Sequence, residues 1–118
     1  MQERRQTKRR LTSVFIRFRV GKNNKTDHRS FTRDMSLEGV RLLSSSRLKS
    51  DDYLEMNIDV PTNPDMTVAE GNVRWVGERP LLDENGELVF PAGVEITYMD
   101  RQDREFLEEF LAQQYSDA

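Results

Sequence analysis

The chain contains no cysteine. That absence excludes a disulfide framework, thiolate catalysis and every Cys-type zinc site, so the fold must hold by packing alone. Histidine is nearly as scarce: His28 is the only one, in a polar stretch after the first hairpin turn, which leaves a hydrolytic triad without its base and a transition-metal site without its ligands. No apolar run approaches the roughly 18 residues that cross a bilayer, so no membrane insertion is expected. Met1 to Arg5 is charged and Gln6 to Arg10 supplies no apolar h-region, so a secretion signal is not indicated and a cytoplasmic protein is expected. Phosphate-binding glycine loops of the P-loop and dinucleotide types are missing. Asp83-Glu84-Asn85-Gly86 lacks the remaining ligands of a calcium loop and reads as a hairpin turn, while the sequon Asn24-Lys25-Thr26 has no reader without export. A metal- or cofactor-free, non-enzymatic role is therefore expected.

Charge is abundant and unevenly divided. The 118 residues carry a net charge of −3, yet residues 1 to 33 hold eleven Lys/Arg against Glu3 and Asp27, which is +9. The remainder holds seven basic residues against 19 acids, which is −12. One end is suited to an anionic partner and the rest repels bulk polyanion, a balance that favours a small anion over a long duplex. The alternative for the basic end is a solvated leader with no partner.

The length allows one domain. Residues 1–11 have no apolar period and read as a flexible arm, with 12–118 as the folded part. Val14, Ile16, Phe18 and Val20 alternate with Phe15, Arg17 and Arg19, the period of a half-buried strand, and Gly21 to Asn24 supplies a turn. Further strands are expected at Ser30 to Met35, Gly39 to Leu43, Tyr53 to Val60, Met66 to Gly77 with a bend or bulge at Gly71, and Val89 to Tyr98 with Val94, Ile96 and Tyr98 on one face. The period then changes. Asp100 is placed as an N-cap, and Phe106, Leu107, Phe110 and Leu111 form one stripe of a helix over about 100–114. Six short strands followed by one helix point to a mainly β fold, a six-stranded antiparallel β-barrel with a C-terminal α-helix.

Two segments carry chemistry. Arg5 and Arg9 frame the arm motif Arg-x-x-x-Arg, and Asp34-Met35-Ser36-Leu37-Glu38-Gly39 joins the second strand to the third. A guanine offers O6 and N7 to an arginine fork, and phosphates suit the same fork. Its N–H donors suit Asp34, Ser36 can add a hydroxyl bond, and Gly39 permits close approach. The same loop residues also suit a simple Ser or Asx turn, with Gly39 serving only a bulge or a positive φ.

Arg-x-x-x-Arg followed after one hairpin by [Asp/Asn]-x-Ser-x-x-Gly resembles the PilZ domain, the bacterial receptor module for cyclic di-GMP (c-di-GMP). The likeness extends through Gly71-Asn72-Val73-Arg74-Trp75-Val76, Gly93-Val94-Glu95-Ile96 and the acidic last helix. The resemblance implies a bacterial second-messenger receptor that binds the dinucleotide between the arm (Arg5, Arg9) and the barrel motif (Asp34, Ser36, Gly39). Arg4 stands just before the motif, where the family's arginine accompanies an intercalated ligand dimer. Arg10 is an additional candidate. Trp75 is another, as a base-stacking group, although a half-buried barrel aromatic is the favoured reading. The expected output is ordering of the arm towards an unidentified downstream protein. The rival readings are a protein-interaction module of the same fold that binds no nucleotide, and a small barrel that binds nucleic acid through its basic arm, which the acidic remainder disfavours.

Overall fold

The computed structural model describes residues 14–23, 25–32 and 34–116; the arm, with Arg4, Arg5, Arg9 and Arg10, lies outside them. Strands β1 (Val14–Val20), β2 (His28–Thr32), β3 (Gly39–Ser44), β4 (Tyr53–Ile58), β5 (Thr67–Val76), β6 (Leu81–Leu82) and β7 (Leu88–Met99) precede helix α1 (Arg101–Ser116). The main sheet is antiparallel in the order β2-β1-β4-β5-β7-β3. It curls until its two edge strands meet: the Leu43 N–H donates to Ser30 Oγ at 2.9 Å, and the Arg41 N–H to the Asp34 carbonyl at 3.1 Å. The result is a nearly closed six-stranded barrel.

The alternation in β1 works as the sequence implies, with Val14, Ile16 and Phe18 buried. They meet Leu54, Met56 and Ile58 from β4, Ala69 and Val73 from β5, and Val40 and Leu42 from β3. Leu107 and Phe110 bring the apolar stripe of α1 into the same core. The helix is tied down by Thr62, whose hydroxyl donates to the Phe106 carbonyl at 2.6 Å, and by the Asp103 carboxylate, which accepts from Asn63 Nδ2 and the Val68 N–H. It has no stretch long and apolar enough to span a membrane, nor has any other described helix.

Three expectations need correction. The return strand is His28–Thr32 rather than Ser30 to Met35, because from Asp34 the chain turns: Thr32 Oγ1 accepts the Asp34 N–H at 3.2 Å, and Met35 keeps only an isolated bridge to Val40. The short strand β6, paired with the start of β7 across the Asp83–Gly86 turn, was not anticipated. Tyr98 does not share the inner face of Val94, since it is 57% exposed.

The cause of the last lies in the β5–β7 ladder, where Glu70 pairs with Tyr98 but Gly71 pairs with Ile96. Thr97 is therefore an extra residue, a bulge that reverses the side-chain phase, turning Tyr98 out and Met99 in against the core. Gly71 stands opposite this slip as the sequence suggests. A Cβ there would strike the Glu95 carbonyl oxygen and come within 2.8 Å of Val94 Cγ1, so the two strands approach too closely for a side chain.

A pocket on the barrel wall

The loop 34–39 is shaped by Ser36. Its hydroxyl accepts the N–H groups of Glu38 and Gly39, each at 3.2 Å, while its own N–H donates to the Gly39 carbonyl at 2.9 Å. The Ser turn weighed from the sequence is thus present, and the hydroxyl proton remains available to donate. Gly39 needs no positive φ, since among the described glycines only Gly21 and Gly86 have one. What it provides is proximity: a Cβ at Gly39 would sit 3.0 Å from the Val94 carbonyl oxygen of β7.

A second register slip completes the site. In the β5–β7 ladder Val73 pairs with Val94, but Trp75 pairs with Gly93, which makes Arg74 the extra residue on β5. Strict alternation would place Trp75 inside with Val73. The bulge instead turns it outward, leaving it 44% exposed, a half-buried aromatic on the outer face of the barrel. The indole lies flat on Gly93, where any Cβ would fall on its ring.

Asp34, Ser36, Gly39 and Trp75 consequently line one pocket of about 420 Å³, with Arg41, Arg74 and Glu95 around it. The sequence reading missed Arg41 and Arg74 as pocket residues; the signal for them was the outward phase of β3 at Arg41 and the bulge that exposes Arg74. Arg74 Nη2 is 2.6 Å from Glu95 Oε1, and Arg41 Nη2 is 3.6 Å from Asp34 Oδ2. Arg41 also lies over the Trp75 ring, 5.8 Å from its centroid. Both pocket arginines therefore already face carboxylates, and the pocket offers little spare positive charge to a dianionic ligand.

Strand polarity places the start of β1 next to the end of β2, from which the loop of Asp34 and Ser36 departs. Val14, which follows the arm and residues 12 and 13, pairs with Thr32, two residues before Asp34. Arg9 stands five positions before Val14, a reach of at most about 18 Å, and Arg5 nine positions before it, at most about 32 Å. Where the arm's arginines lie is outside the described residues.

Gly93→Ala is expected to leave the barrel folded, since Trp75 is at the surface and can swing away, but to displace the indole from the pocket. Because Trp75 is the only tryptophan, its emission reports the displacement: a red shift is expected, and a spectrum identical to wild type would show that Gly93 does not seat the ring.

The PilZ domain family model matches residues 3–113. No curated protein matches the chain in sequence. Among solved structures it is similar to the Bacillus subtilis inhibitor of motility MotI/DgrA, with a TM-score of 0.68 and 14% identity over 91% of this chain and 49% of that one. It thus spans about half of that protein's length. It is also similar to the PilZ domain of Escherichia coli YcgR, whose structure contains c-di-GMP, with a TM-score of 0.62 and 14% identity over 89% of this chain and 83% of that one.

Proposed function

This chain belongs to the PilZ domain family, and from that premise we propose that it is a non-catalytic c-di-GMP receptor that holds the dinucleotide between its N-terminal arm and the pocket on the barrel wall. The observation that carries the proposal is the meeting of Asp34, Ser36, Gly39 and Trp75 in one pocket, whose Asp34 follows two residues after Thr32, the partner of Val14 at the start of β1. Asp34 accepts the N–H donors of a guanine, Ser36 donates its hydroxyl proton, Trp75 stacks on the base, and the close-packed Gly39 leaves the wall flat. Charge for the phosphates comes from Arg5 and Arg9, because Arg74 is engaged with Glu95.

The domain division follows from the same chemistry, with residues 1–11 as the ligand-dependent arm and 12–118 as the barrel that receives it. The first ten residues carry five basic side chains against Glu3. These repel one another until an anion neutralises them, so ligand binding orders the arm and alters the surface offered to a downstream protein. Arg4, with Arg10 as a further source of charge, supplies what a stacked pair of ligands with four phosphates requires.

Isothermal titration with c-di-GMP tests this reading. Binding with a ratio near two ligands per chain is expected, falling towards one in Arg4→Leu. A wild-type protein that takes up no c-di-GMP would overturn the function, and a wild-type ratio of one would overturn the role of Arg4. Amide exchange in residues 2–10, fast in the free protein and slow in the complex, is the expected signature of arm ordering.

A further inference from the structure

Arg41 stands in the middle of the pocket yet belongs to neither motif. Its guanidinium group is 3.6 Å from one oxygen of Asp34 and lies over the face of Trp75, 5.8 Å from the ring centroid. Those two groups are the ones the functional reading assigns to a guanine, the carboxylate for its edge and the indole for its face. The chemistry of the two occupants is also the same. A guanidinium is a planar fork of N–H donors that stacks on aromatic rings, and the edge of guanine that faces a carboxylate is a planar fork built from N1–H and the exocyclic N2–H₂.

We infer that Arg41 is an internal competitor: in the free protein its guanidinium occupies the guanine place, covering Trp75 and engaging Asp34, and the ligand binds by displacing it. The inference rests on the reading of this pocket as a nucleotide site. Both contacts of Arg41 are of the weak, solvent-exposed kind, since its side chain is 56% exposed and that of Asp34 30%. Such contacts hold a place and yield it. They are made at a position on β3 opposite Gly93, from which the side chain projects outward and has room to swing away.

The consequence is opposite to that of losing an ordinary ligand contact. Arg41→Met keeps the aliphatic stem and removes the competing group, so it is expected to tighten c-di-GMP binding roughly 3- to 10-fold, the worth of one exposed ion pair and one exposed cation–π contact. Arg41→Lys keeps the ion pair but cannot lie flat on the indole, and its affinity is expected between the two. Isothermal titration of c-di-GMP into the full chain and both variants reads the affinities, with thermal melts confirming that the barrel is intact. In parallel, acrylamide quenching of Trp75 without ligand is expected to increase in Arg41→Met, because the ring loses its cover. Equal or weaker binding by Arg41→Met beside a wild type that binds would overturn the competitor and leave the receptor reading standing. Absence of binding by wild type and variant alike would overturn both.

Discussion

Replacing Arg5 and Arg9 together by alanine will weaken c-di-GMP binding by at least about 100-fold while leaving the melting temperature of the ligand-free protein unchanged. Each charge-assisted hydrogen bond is worth about 1.5 to 3 kcal/mol, so losing one from each arginine costs about 3 to 6 kcal/mol. The pocket has little reserve to make up the loss, because Arg74 faces Glu95 at 2.6 Å. Stability is not expected to follow, since the described core runs from Val14 to Phe110 and is built of apolar side chains. Isothermal titration and a thermal melt on the same sample separate the two effects. An affinity within tenfold of wild type would remove the arm from the binding site. A lower melting point would show that the arm is part of the fold.

The second large effect concerns the barrel itself. Phe18 is the largest of the fully buried side chains, and the His28 ring stacks beside it with centroids 5.2 Å apart and planes at 25°. Phe18→Ala removes a whole ring from the middle of the barrel, and because β1 is hydrogen-bonded on both sides, to β2 and β4, the backbone cannot move in to fill the space. A cost of about 3 to 5 kcal/mol is expected, a large part of the roughly 5 to 15 kcal/mol that holds a domain of this kind. Urea denaturation measures it. A loss below about 1 kcal/mol would show that the barrel collapses onto the gap. The lone histidine thus packs on a core ring.

Under the proposed function, the arm and the barrel divide the labour in a way that matches their composition. Residues 1 to 33 carry most of the positive charge, yet within the described part of that stretch Arg19 is already held by Asp27 and Glu55. Five of the eleven basic residues stand ahead of the first strand. On that reading, occupancy and shape change are one event, because the anion brings the cationic tail and the barrel wall together.

How much of this was legible in the sequence follows from which interactions are local. The period of two through Val14, Ile16 and Phe18, the turn at Asp83–Gly86 and the 3.6-residue stripe of Leu107 and Phe110 depend only on neighbours in the chain, so element types, the barrel class and the terminal helix could be read directly. The motif residues Asp34, Ser36 and Gly39 could be picked out for the same reason, since they sit within six consecutive positions. β6 escaped because two residues are too few to show a period. The phase of Trp75 and Tyr98 escaped for a deeper cause. Each is set by a bulge, at Arg74 and at Thr97, and a bulge exists only once β5 and β7 are paired and the crowding at Gly71 and Gly93 is felt. No periodicity within either strand contains that information. The tertiary structure alone therefore decided that Trp75 leaves the core for the pocket and that Arg41 crosses to meet it, because both depend on how strands distant in sequence come into register.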